Sequence, residues 1–176
     1  SSAVLAPLFE VETASVDARS VISTGGLTLT PEQSLAAVTQ TDLIIIPGFL
    51  FKVMPLLSRL GDIIPWLQHH YEQGAHIASM CTGAFVTAQA GLLAHKNATT
   101  HWLFGEKFKS LYPDVQLQLE KSITDDDRIL CAGGAATGAD LLLYIVRKFC
   151  SPQLAAECSK KLLIDSSTRE QTPYAS

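Results

Sequence analysis

The residue whose type and setting promise chemistry is Cys81, in the run Ala75-His76-Ile77-Ala78-Ser79-Met80-Cys81-Thr82-Gly83-Ala84. An apolar strand gives way there to small residues that open a helix. A sharp strand-to-helix turn would lift the Cys81 side chain above the carboxyl edge of a sheet. Such a nucleophile elbow is crowded and needs small residues two before and two after the nucleophile; Ser79 and Gly83 occupy those positions. A thiol in the first turn of a helix also feels the helix's positive end, which favours thiolate over thiol. Cysteine is equally among the residues most often buried, so simple packing explains the position as well. The local sequence leaves both readings open.

Nucleophilic chemistry at Cys81 would require a base or a positive neighbour. His101, in Thr99-Thr100-His101-Trp102, follows a strand expected to end on the same edge; its other reading is an imidazole packed beside Trp102. After Ile45-Ile46-Pro47-Gly48, the N–H of Phe49 is a candidate oxyanion donor, and its ring would narrow the mouth of a site bordered by Gly48. The Thr82 hydroxyl either hydrogen-bonds an intermediate or satisfies backbone N–H groups near the helix start. The stretch Ala132-Gly133-Gly134-Ala135-Ala136-Thr137-Gly138-Ala139-Asp140 is not GxGxxG and gives no support for a dinucleotide. Its glycines let a strand turn tightly into a helix, and Thr137 is a candidate pocket contact. Asp140 falls in the first turn of that helix, where a carboxylate is favoured by the dipole.

The chain has 176 residues, 47% hydrophobic and 17% charged, enough for a sizeable core. A net charge of -4 with dispersed Lys and Arg gives no electrostatic footprint for nucleic acid. No apolar run approaches the ~20 residues needed to span a bilayer, and no signal peptide is visible. Cys81, Cys131, Cys150 and Cys158 form no CxxC pair, which suits reduced thiols in a cytoplasmic protein. The histidines His69, His70, His76, His95 and His101 make no metal spacing with them, so neither a metal nor another cofactor is expected.

Alternation predicts a half-exposed strand over Phe9 to Ala14. Gly25-Gly26 signals a turn before a short strand at Leu27 to Leu29, and a helix is expected near Pro31 to Val38. Leu43-Ile44-Ile45-Ile46 reads as a parallel strand buried on both faces. Ile63, Ile64, Leu67 and Tyr71 recur at helical spacing, closed by Gly74. After the strand to Met80 and a helix from Thr82 to about Ala90, Asn97 to Trp102 suggests a short strand and Phe104 to Leu111 a helix. Val115 to Leu119 and Ile129 to Ala132 are expected to pair as a hairpin around Asp125-Asp126-Asp127. A helix carrying Leu141, Leu142, Tyr144, Ile145 and Phe149 follows. Ser151-Pro152 then starts a last helix, with Ser as N-cap and Pro at its first position. This alternation predicts a three-layer α/β domain.

Ile45-Ile46-Pro47-Gly48, Ser79-Met80-Cys81-Thr82-Gly83-Ala84, and Ala90-Gly91-Leu92-Leu93 leading to Ala98-Thr99-Thr100-His101-Trp102 together resemble the ThiJ/PfpI superfamily, the class I glutamine amidotransferase-like fold. The resemblance implies a flavodoxin-like, mostly parallel sheet with helices on both faces, a β-hairpin and the elbow. Two subgroups look similar: the N-terminal domain of AraC-family transcription regulators, and the isocyanide hydratases. The segments Cys158-Ser159-Lys160-Lys161-Leu162-Leu163 and Arg169-Glu170-Gln171-Thr172-Pro173-Tyr174 resemble the regulators' connection to a helix-turn-helix domain.

The resemblance therefore implies a sensing domain over residues 1–165 and a linker over 166–176 towards a DNA-binding domain outside the chain. It further implies a homodimer, a small-molecule effector near Cys81, DNA contact only through the other domain, and no membrane partner. Only Ser1 to Leu8 precede the segment matching Phe9, so the family's first strand, which carries the hydratases' acidic partner to the cysteine, is expected to be missing here. Where the family often has Pro-Gly-Gly, this chain has Pro47-Gly48-Phe49. No His follows His101, so the amidotransferase triad is absent, and Thr82 stands where the PfpI-like proteases place His. The alternative to a sensor is a hydratase-like enzyme with Cys81 as nucleophile.

Overall fold

The computed structural model describes residues 8–23, 25–49, 53–134, 137–164 and Gln171. The chain divides into two compact units, Ser1–Gln40 and Thr41–Ser176. In the first unit, β1 (Ala14–Ser15) pairs in parallel with β4 (Gln33–Ser34), while β2 (Val21–Ile22) and β3 (Thr28–Leu29) form an antiparallel hairpin. Gly26 takes φ +82 in its turn. None of the described residues in this unit is buried.

Two expectations change here. The strand foreseen over Phe9 to Ala14 exists only from Ala14, because a strand persists only where a partner completes its hydrogen bonds. The helix foreseen near Pro31 to Val38 is instead β4 and a 3-10 turn, Leu35–Ala37.

The second unit holds a four-stranded sheet in the order β5 (Leu43–Ile46), β6 (His76–Met80), β10 (Ile129–Ala132), β9 (Ile123–Asp126). The first three are mutually parallel; β9 runs antiparallel to β10. A smaller parallel pair joins β7 (Asn97–Ala98) to β8 (Gln116–Leu117). The hairpin thus uses β9 rather than the alternating segment Val115 to Leu119, whose central residues pair with β7 instead. Among the described residues β5 stands at the sheet's edge with Ile45 41% exposed, so it is not covered on both faces.

Period-two alternation divides the sheet between two cores. Ile77, Ile129 and Cys131 face a cluster shared with α1 (Val53–Leu57), α2 (Ile63–Glu72), α3 (Ala84–Gln89) and α4 (Gly105–Leu111). Ala78, Leu130 and Ala132 face the other way, against Leu141 and Ile145 of α5 (Thr137–Phe149). Helices therefore cover both faces, giving the α/β layering expected from the alternation of elements.

α3 is buried from Ala84 through Ala88, as an all-round apolar or small-residue helix must be. Its Phe85 has no exposed surface and meets Phe108 edge-on at 4.9 Å. Full burial of such a side chain contributes about 1.5–3 kcal/mol. No helix among the described residues is long and apolar enough to cross a membrane.

α6 (Pro152–Leu162) packs on α5, and its start has the expected geometry: Ser151 is the N-cap and its Oγ accepts from the Leu154 N–H at 3.1 Å. Ser151→Ala should cost about 1 kcal/mol, the usual loss for such a cap. A lower urea midpoint at unchanged m-value checks this.

Candidate functional site

β6 ends at Met80 in extended conformation, and Cys81 then takes φ 55 in the left-handed region. A 3-10 turn, Cys81–Gly83, leads into α3. Holding a non-glycine residue there costs about 1–2 kcal/mol, so surrounding structure must impose it. Several contacts do. β6 is paired on both sides, by β5 and β10. Thr100 Oγ1 donates to the Cys81 carbonyl at 3.0 Å. Ser79 and Thr87 hydroxyls meet at 2.5 Å, tying the strand to α3.

Gly83 explains the small-residue requirement. A Cβ there would lie 2.6 Å from the Ile46 carbonyl oxygen and 2.8 Å from that of Pro47. Gly48 sits against the thiol itself: its added Cβ would be 3.1 Å from Cys81 Cβ and 3.6 Å from Sγ. Thr82 Oγ1 accepts the Phe49 N–H at 2.7 Å, linking the loop after β5 to the elbow. That bond engages the N–H read from the sequence as an open oxyanion donor. The Phe49 ring is partly buried against the core cluster of α1 to α4.

Cys81 is only 4% exposed. Burial pushes its thiol up from the ordinary value of 9.0, and hydrogen bonds from the Thr82 N–H and hydroxyl offset this only in part. The thiolate preference expected from a helix start is therefore reversed. The first α-helical residue is Ala84, so Cys81 lies in the preceding 3-10 turn. The dipole effect fades outside the first turn, whereas desolvation acts on the sulfur directly.

His101 caps the 3-10 turn Trp102–Phe104, its Nδ1 accepting from the Leu103 N–H at 3.2 Å. Its ring lies 5.7 Å from Trp102 and 6.0 Å from Phe104, between centroids. Burial lowers its pKa from 6.5, favouring neutral imidazole. Thr137 closes the turn into α5, donating to the Gly134 carbonyl at 2.6 Å and accepting the Gly134 N–H at 2.8 Å. Gly48, Phe49, Thr82 and Gly83 thus gather around Cys81, while His101 and Thr137 make local capping bonds.

Two residues that sequence reasoning passed over join this group. Thr100 contacts the elbow directly; the only signal for it was its place in the Thr-Thr-His-Trp run. Gln171 is 5% exposed, and its Nε2 lies 3.2 Å from the Thr100 carbonyl. No local pattern marks that contact.

The DJ-1/PfpI family model matches residues 5–148. The HTH-type transcriptional regulator CdhR of Pseudomonas aeruginosa is 29% identical over 160 residues, covering 90% of this chain and 46% of the regulator. The chain therefore spans about half the length of that relative. The isonitrile hydratase of Pseudomonas putida is 28% identical, covering 98% of this chain and 77% of the hydratase. Among solved structures, an AraC family transcriptional regulator from Pseudomonas putida shares the fold, with a TM-score of 0.67 at 22% identity over 88% of this chain and 81% of that one.

Because the thiol is shifted upward, Cys81 alkylation by iodoacetamide should still be accelerating at pH 9. Thr82→Val removes a bond that stabilises the thiolate, so its profile should lie further to alkaline pH; mass spectrometry of the Cys81 peptide reads both. Gly83→Ala should cost about 1–3 kcal/mol by overpacking against backbone, measured as a fall in the urea midpoint.

Proposed function

The chain belongs to the DJ-1/PfpI family, and from that premise we propose that it is the ligand-sensing domain of an AraC-type transcription regulator. It binds a small nitrogenous or carbonyl-bearing molecule beside Cys81 and biases DNA binding by a helix-turn-helix domain outside these 176 residues. The observation that carries this reading is the relation to CdhR, which runs through 90% of this chain yet takes in only 46% of the regulator. That is the pattern of a module within a longer protein.

The site's chemistry supports the same reading. A thiol held protonated by burial, with a threonine hydroxyl and N–H beside it, suits a pocket contact better than a turnover nucleophile. Gly48, Phe49, Thr82 and Gly83 would shape the pocket. The regulator works in the cytoplasm and as a homodimer, which suits reading two half-sites. The resemblance to isonitrile hydratase supplies the alternative, in which Cys81 attacks an electrophilic carbon.

A panel of small amines, amides and nitriles should contain a compound that stabilises the chain, by about 2.7 kcal/mol at a hundredfold excess over Kd. Thermal melts read this. In the full-length protein Cys81→Ser should alter the response to that compound while leaving operator affinity unchanged. Turnover of an isocyanide by the unaltered protein, lost in Cys81→Ser, would replace the sensor with the enzyme.

A further inference from the structure

Beyond Ile164 the described structure contains one residue, Gln171, and its polar side chain is buried. Its Nε2 donates towards Thr99 Oγ1 at 3.0 Å, the Lys121 carbonyl at 3.0 Å and the Thr100 carbonyl at 3.2 Å. Its Oε1 accepts the Trp102 N–H at 3.3 Å, and its own N–H donates to the Glu120 carbonyl at 3.0 Å. A buried amide is tolerated only when so paired. Space for it depends on Gly133, where an added Cβ would overlap the Gln171 amide; the three atoms nearest that position all belong to Gln171.

Thr100 makes this arrangement more than an anchor. Its carbonyl accepts from Gln171, and its hydroxyl donates to the Cys81 carbonyl. One fully buried residue therefore touches both the elbow and Gln171. We propose that Gln171 is a latch, through which the state of the Cys81 site and the seating of the Gln171 side chain on Thr99–Trp102 control one another. The inference rests on the sensing function only for its biological use: the latch would pass occupancy at Cys81 to the DNA-binding domain proposed above. The coupling itself is a property of this chain. By linkage it acts in both directions: releasing Gln171 loosens the elbow, and disturbing the elbow releases Gln171.

The test reads the Cys81 thiol against a second site of the same chain. The second site is a backbone amide: Ile77 has no exposed surface and lies in the central strand β6, its N–H donating to the Arg128 carbonyl at 2.9 Å, so exchange there reports global opening. Gln171→Ala should raise the rate of Cys81 alkylation, and of hydrogen exchange at the amide of residue 171, by about tenfold, the scale of losing a buried amide's hydrogen bonds. Exchange at the Ile77 amide should stay unchanged. Gly133→Ala, which leaves Gln171 in place but fills its seat, should do the same. Conversely, alkylating Cys81 in the unaltered chain should speed exchange at Gln171.

Equal acceleration at Cys81 and at the Ile77 amide, or unchanged Cys81 in both variants, overturns the latch. In the full-length protein, Gln171→Ala should abolish the effect of the stabilising compound on operator binding, while the compound still binds with an affinity shifted by the lost coupling. A response that survives would overturn transmission through Gln171 and leave the sensing function standing. A normal latch in a chain that no compound stabilises would instead overturn the sensing function alone.

Discussion

The architecture around Cys81 depends on one backbone torsion, the positive φ that turns β6 out of the sheet. An L-residue does not choose that region unaided. The cost is met by parts of the fold that are stable for other reasons: a central strand paired on both edges and a helix buried along most of its length. Gly83 is then forced against the carbonyls that end β5, and no side chain fits between them. The elbow, the loop after β5 and the start of α3 consequently form one unit. Moving any of them means moving all three.

That same crowding decides the electrostatics. A helix terminus offers roughly 0.3–1 kcal/mol to a nearby negative charge, and less beyond its first turn. Cys81 precedes the first α-helical residue, and removal from water works against the charged sulfur more than the two Thr82 hydrogen bonds support it. The geometry that presents Cys81 at the end of the sheet therefore also raises its pKa. A motif can share a nucleophile's backbone without sharing its ionisation, and the burial around the sulfur separates the two.

Much of this was legible locally. The elbow residues, the helical spacing of Ile63, Ile64, Leu67 and Tyr71, and the Ser151-Pro152 start are each set by neighbours within a turn or two, so pattern and propensity reach them. Pairing partners were not legible in the same way. Both Gln116–Leu117 and Ile123–Asp126 are plausible strands beside β10; the choice follows from β7 taking the first of them. Leu43–Ile46 has the composition of an interior strand, yet composition does not count neighbours. Gln171 is the extreme case. It lies in a polar segment and reaches Thr100 across 71 positions, so nothing nearby in sequence announces its burial.

The two ends of the sheet are consequently stabilised by different means. Around Phe85, Phe108 and Leu67 the core is apolar, and non-directional burial contributes the bulk of the stability. At the carboxyl end, small hydroxyl residues replace the aliphatics: Ser79, Thr82, Thr87, Thr99 and Thr100 are all without exposed surface. Apart from the Ser79–Thr87 contact, these bonds join segments distant in the chain, from Phe49 to Thr82, from Cys81 to Thr100, from Lys121 to Thr99. Apolar side chains of similar size would fill the space but would not fix one segment's position relative to the next. Directional bonds between short side chains do, since an unpaired buried hydroxyl costs more than a paired one returns. The carboxyl end thus has few alternative arrangements, and those it has are discrete, which is the property a site needs if a small molecule is to shift it from one state to another.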